Sequence, residues 1–276
     1  MTKLLFYNGL GYNIEQIDNE ESGWHKKGAN MKEGQILKRI IKIIGILLVA
    51  LIIGMLTYLG DYYHADQTAH DALISDDQVN VRKEGNLTIF TPTAGQDETG
   101  FIFYPGGKVE DIAYAPLMRS LAEQGYSAGI VGMPFNLAVF NANGADKVLE
   151  TMPEIEQWIM VGHSLGGAMA ADYLAEHEDK VDGLALLGAY PNQSLAQSSH
   201  PVLSLYGSED RIIDQQGFAD GRNKMPVNAS YNEIAGGNHS GFGNYGAQAG
   251  DGTAAISSAE QQAITVAKIM EIWKGN

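Results

Sequence analysis

Trp158-Ile159-Met160-Val161-Gly162-His163-Ser164-Leu165-Gly166-Gly167 decides how the rest of this chain is read. The apolar run Trp158 to Val161 has the length and composition of a buried strand, and Leu165 to His177 reads as a helix. Between them lies Gly-x-Ser-x-Gly. Glycine two positions either side of Ser164 removes Cβ atoms that would clash where a strand turns sharply into a helix. Ser164 is then held at the turn with strained backbone angles, and the helix N-terminus aims N–H groups at the same spot. A serine so placed is a candidate nucleophile, because those N–H groups favour the negative charge that its attack creates. The pentapeptide alone recurs by chance; its strand–turn–helix setting makes it specific.

Working outward, short apolar runs alternate with helical patterns from residue 79 onward. Val79 to Val81 and Leu87 to Phe90 alternate like an opening hairpin. Phe101 to Tyr104, Tyr126 to Val131, Leu184 to Leu187, Val202 to Tyr206 and Tyr231 to Ile234 are the other expected strands. Ala113 to Glu123, a stretch beginning at Ala145 to Leu149, and Glu260 to Trp273 are expected helices. Continuous apolar strands alternating with helices predict an α/β fold, with a mostly parallel central sheet covered on both faces. About a dozen residues separate Leu187 from Val202, too few for a helical lid domain.

Three further signals fall at strand ends. Asp210 follows the strand Val202 to Tyr206 in Gly207-Ser208-Glu209-Asp210, where a carboxylate can fix the tautomer of a histidine. Glu209 and Asp214 are its local rivals. His239 follows the last strand in Ala235-Gly236-Gly237-Asn238-His239, as a general base should. His163 is expected to point elsewhere in the turn, His177 and His200 to be surface groups, and His25, His64 and His70 to belong to the tail or linker. Pro105-Gly106-Gly107-Lys108 follows the strand ending at Tyr104. Its loop would donate one amide, from Gly107 or Lys108, to an oxyanion whose second donor is the amide of Leu165.

From about residue 79 to the end, the chain resembles the α/β-hydrolase superfamily, and more narrowly the bacterial α/β-hydrolase fold-5 family, related to dienelactone hydrolases. The resemblance is carried by Tyr104 to Val109, Pro134 to Ala138, Gly162 to Gly167, Gly236 to His239, and Phe242 to Gln248. The chain order Ser164, Asp210, His239 is also that of these enzymes. Dienelactone hydrolases use a cysteine nucleophile and this chain has no cysteine, so the lactone substrate is not carried over. The resemblance implies a serine hydrolase acting on a small-molecule carboxylic ester through an acyl-enzyme, with no metal or cofactor required. An envelope acyltransferase with the same triad and a catalytically silent binding protein are the alternatives. Phe135, Asn136, Phe242 and Tyr245 are candidate walls of the substrate pocket.

Composition limits the remaining possibilities. Without cysteine, a disulfide framework and a cysteine zinc site are excluded. Seven basic and five acidic residues precede Asp61; 11 and 28 lie from Asp61 onward, leaving a net charge of −17 on the later part. Nucleic acid is not a plausible partner for such a surface.

The first part reads differently. Ile43 to Leu59 carries no charge, with Lys32, Lys38, Arg39 and Lys42 before it and Asp61 and Asp66 after. Together with Ile40 and Ile41 it is long enough to cross a bilayer core as a helix. The positive-inside rule then puts the N-terminus in the cytoplasm and the later part outside, on a single-pass anchor in the cell membrane. Leu56 to Leu59 lacks a small-x-small cleavage site, which argues against a removed signal peptide. The expected organisation is a polar tail at 1–34 (with Met31 as the alternative start), a signal-anchor helix at 35–60, a juxtamembrane linker at 61–78 and a catalytic domain at 79–276.

Overall fold

The computed structural model describes residues 14–274, with side chains from Gln35 onward. The polar tail expected at 1–34 therefore lies partly outside the described residues. From Ile14 the chain is helical, in α1 (Ile14–Gly60). Its Gln35–Gly60 part is 26 residues long and apolar enough to cross a membrane. At 1.5 Å per residue that part measures about 39 Å.

The chain forms two compact units, 1–58 and 59–276. The second holds eight strands in one sheet: β1 (Val79–Glu84), β2 (Leu87–Pro92), β3 (Thr99–Tyr104), β4 (Ser127–Val131), β5 (Gln157–His163), β6 (Gly183–Leu187), β7 (Val202–Gly207) and β8 (Ser230–Ile234). Their order is β1-β2-β4-β3-β5-β6-β7-β8. β1 and β2 form the expected hairpin, β2 pairs antiparallel with β4, and every later pairing is parallel.

The period-two alternation of β3 shows how the layers assemble. Phe101 and Phe103 face one core layer with α3 (Ala115–Glu123) and α7 (Ser258–Trp273). Ile102 and Tyr104 face the other, with α4 (Ala145–Thr151) and α5 (Leu165–Glu176). All four of these strand residues are fully buried. After β4 the chain crosses β3 to lay down β5 on its other side. That switch point opens a crevice at the carboxyl ends of β3 and β5, which is where ligands bind in open α/β sheets. Gly188 to Pro201, between β6 and β7, holds only turns, so no lid domain covers that edge.

Two elements depart from the sequence reading. A short helix, α6 (Gln215–Gly221), follows β7, capped by Asp214, whose carboxylate accepts the N–H groups of Gln216 and Gly217. It has two glycines and Phe218 as its only large buried side chain, so it shows no apolar period. The segment expected as a linker at 61–78 is instead part of the folded unit. Tyr63 bridges to Val109, the Asp66 N–H donates to the Asn244 carbonyl at 2.8 Å, and Ala69 is fully buried in a short helix, α2 (Gln67–Asp71). Its polar side chains hid an attachment made mainly through the backbone.

Candidate active site

Ser164 stands between β5 and α5 with φ 52° and ψ −123°, a left-handed conformation that costs a non-glycine residue about 1–3 kcal/mol. The glycines around it are required by close approach. A Cβ on Gly162 would lie 2.6 Å from the Gly166 carbonyl oxygen and the Gly167 Cα; one on Gly166 would collide with the carbonyls of Tyr104 and Pro105. The Ser164 N–H donates to the Leu187 carbonyl at 3.0 Å, pinning the turn to β6. As residues of the first turn of α5, Leu165, Gly166 and Gly167 have N–H groups with no partner within the helix.

Ser164 and His239 line the same cleft, of about 280 Å³, with Leu165, Tyr190, Ile212 and Ile213 among its walls. His239 is 1% exposed. Its Nδ1 and the Asp210 Oδ2 are 2.8 Å apart, and Asp210 is itself buried. The other carboxylate oxygen of Asp210 accepts the N–H groups of Ile212 and Ile213, each at 2.9 Å. Asp210 is therefore held from both sides with one oxygen aimed at the imidazole. His239 Nε2 is buried without a hydrogen-bond partner. No hydrogen bond joins it to Ser164, an offset common in resting enzymes, where such bonds tighten around substrate. Of the rival acids, Asp214 caps the short helix after β7, and Glu209 accepts from the Ser208 hydroxyl and faces Arg211.

The loop carrying His239 is fixed by groups that strand-end reasoning missed. Asp251 accepts the N–H groups of His239 at 3.3 Å and Ser240 at 2.9 Å. Gln261 on α7 accepts the Asn238 N–H and donates to the Asn238 carbonyl. Asn238 Oδ1 accepts the Gly241 N–H in turn. Asp251 and Gln261 belong to no motif around His239; only the fold brings them to its loop.

His163 does not point away from the site. It is buried beneath it, its ring 4.5 Å from that of His239 between centroids. Burial, and then the charge that His239 can carry, hold His163 well below the ordinary histidine range. Its Nδ1 and the Tyr114 hydroxyl are 2.8 Å apart, while that hydroxyl accepts the Gly106 N–H at 3.2 Å. Burial raises Tyr114 far above a normal phenol, so it keeps its proton and donates to Nδ1. This fixes His163 as the neutral tautomer protonated at Nε2.

Between the two amides left open in the Gly106–Lys108 turn, the structure distinguishes. The Lys108 N–H donates to the Asn136 carbonyl at 2.7 Å, which corrects Lys108 as an oxyanion donor. Gly107 lies against Leu165, with a Cβ at position 107 falling 3.0 Å from Leu165 Cδ2. The expected pocket walls also need correction. Phe242 is fully buried beside His163, and Tyr245 packs on Tyr63 and Tyr114, so both belong to the core. Phe135 is exposed and Asn136 lines a separate cleft; neither borders the one that holds Ser164. The walls that do, Tyr190 and the Ile212–Ile213 pair, come from loops with no motif.

Residues 100–263 match the model of the alpha/beta hydrolase family. The chain belongs to the alpha/beta hydrolase family. Its fold is accordingly that of solved alpha/beta hydrolases. Naproxen esterase (carboxylesterase NP) from Bacillus subtilis superposes with a TM-score of 0.53 at 13% identity, over 75% of this chain and 95% of that one. An alpha-beta serine hydrolase homologue from Coxiella burnetii gives 0.51 at 14%, over 71% and 99%. TT1662 from Thermus thermophilus gives 0.54 at 14%, over 72% and 100%. At these identities the likeness speaks for the fold alone. No curated protein sequence matches the chain.

Proposed function

We propose that this hydrolase cleaves carboxylic esters, with Ser164 as nucleophile, His239 as general base and Asp210 as the carboxylate that orients it. The observation that carries the reading is the cleft shared by a strained, half-buried Ser164 and a His239 whose Nδ1 faces a buried Asp210 and whose Nε2 has no other partner. In this reading Nε2 takes the hydroxyl proton as Ser164 Oγ attacks the ester carbonyl carbon. The oxyanion is met by the amides of Leu165 and Gly107. The alcohol leaves with the proton from His239, and water then attacks the acyl-serine by the same route in reverse. A cleft of about 280 Å³ is at the lower end of small-molecule sites and suits a short acyl group.

The apolar helix Gln35–Gly60, preceded by Lys32 and carrying Lys38, Arg39 and Lys42 near its start, supports a single-pass anchor in the cell membrane with the hydrolase unit outside the cytoplasm. The deciding experiment is labelling of the full chain by a fluorophosphonate probe. Wild type should be labelled and Ser164→Ala should not; equal labelling of both would overturn the reading.

A further inference from the structure

Among the described residues, the folded unit leaves six large apolar side chains exposed: Ile74, Phe135, Val139, Phe140, Val227 and Ile264. Three of them lie within six residues of one loop, Phe135 being 55%, Val139 50% and Phe140 54% exposed. The rings of Phe135 and Phe140 meet edge to face with centroids 5.7 Å apart, and exposed Val139 adjoins Phe140 in the chain. The backbone is strained to present them. Phe135 and Asn136 have φ 56° and 55°, left-handed values that cost non-glycine residues about 1 kcal/mol or more each. The turn is held by the Asn136 carbonyl, which accepts the Lys108 N–H. Leu137 packs inward near Gly107, so the loop forms a rim beside the Gly107 turn rather than a wall of the cleft that holds Ser164.

The chain leaving the apolar helix reaches this rim at once. Gly60 to Tyr63 is three residues, at most about 10 Å when extended. Tyr63 donates its N–H to the Lys108 carbonyl at 2.8 Å and accepts the Glu110 N–H at 2.9 Å. Lys108 in turn holds Asn136. Through these two backbone contacts, the helix exit lies within about 20 Å of the exposed loop. The wall beside the loop also departs from the acidic surface. The cleft that Asn136 lines, of about 490 Å³, contains Lys83 with Asp111 as its one acid, and Lys147 reaches Asn86 on the same wall at 3.1 Å.

We propose that the loop Pro134–Phe140 rests on the phospholipid bilayer that holds the N-terminal helix, with Phe135, Val139 and Phe140 at the boundary between headgroups and acyl chains. The active site then opens at the membrane surface, and ester-bearing amphiphiles enter it from the bilayer. The inference rests on the anchor reading above. A strained, outward-facing aromatic turn within about 20 Å of a membrane exit is stabilised when apolar matter covers it, and the bilayer is the apolar surface that the tether brings within reach.

The absence of native cysteine makes the test direct. Val139→Cys and, separately, Phe140→Cys in the full chain would be labelled with the fluorophore NBD. Each would be reconstituted in nanodiscs of phosphatidylcholine and phosphatidylglycerol carrying a lipid with a nitroxide near the top of its acyl chain. Val227→Cys is the control: it is fully exposed but precedes β8, at the amino ends of the parallel strands, opposite the carboxyl ends that carry the catalytic loops. At least twofold stronger quenching at 139 and 140 than at 227 is expected. Equal quenching at all three sites, in protein that resists extraction by alkaline carbonate, would overturn the docking and leave the anchor standing. Extraction of the full chain by carbonate would overturn both.

Discussion

Replacing Asp210 with Asn tests the proposed mechanism through a single proton. Asp210 Oδ1 accepts two backbone N–H groups, from Ile212 and Ile213, each at 2.9 Å, while Oδ2 faces His239 Nδ1 at 2.8 Å. An asparagine can present its oxygen on only one side. Turning its amide nitrogen toward Ile212 and Ile213 would set donors against donors and leave buried N–H groups unpaired, at about 1–3 kcal/mol each. The oxygen therefore stays on the two amides and the nitrogen donates to His239 Nδ1. That forces the imidazole proton onto Nε2, the atom that must accept the proton of Ser164. Loss of the correct tautomer in a serine triad lowers turnover on the order of 10⁴-fold, or about 5 kcal/mol in the barrier. The assay is steady-state hydrolysis of a short p-nitrophenyl ester by the full chain in detergent, with circular dichroism to show that the fold is kept. Asp214→Asn is the matched control. Asn caps helices as well as Asp, so it should change turnover by less than about tenfold. An Asp210→Asn enzyme within tenfold of wild type, or an Asp214→Asn enzyme that is the slower of the two, would refute the assignment of the acid.

The proposed nucleophile and base should act as one unit: Ser164→Ala/His239→Ala should be little slower than either single variant, and costs that multiplied would show two independent contributions. His163 should make the fold acid-sensitive. Its folded pKa lies below the usual 6.5, so as pH falls through that value the unfolded chain binds a proton that the folded chain refuses. Its stabilising share is complete above that range and declines below it, by at most about 1.4 kcal/mol per pH unit. Thermal melts in detergent from pH 7.5 to 5.5 should therefore fall less steeply for His163→Asn than for wild type, and parallel slopes would discount the effect. Protease added to intact spheroplasts should digest the hydrolase unit; full protection would reverse the proposed orientation.

The sequence by itself determined what local chemistry dictates. A strand feeding Gly162-His163-Ser164-Leu165-Gly166 and followed by a helical pattern is suited to a sharp turn, because the glycines leave room for backbone atoms where any Cβ would collide. Buried parallel strands need continuous apolar runs, so β3 to β7 lay in plain view, while the hairpin was read from its alternation, with β1 ending further on than that alternation suggested. The apolar length of the N-terminal helix is likewise a property of the chain alone. Tertiary structure decided everything that depends on which backbone group finds which partner. It gave the Lys108 N–H to Asn136, which leaves Gly107 as the proposed donor, and it buried Phe242 and Tyr245, which by composition alone looked like pocket walls. It also laid His163 against His239 and drew the supposed linker onto the folded unit through Tyr63 and Asp66. Backbone hydrogen bonds carry no side-chain signature, and a side chain's burial depends on residues scores of positions away, so neither can be read along the chain.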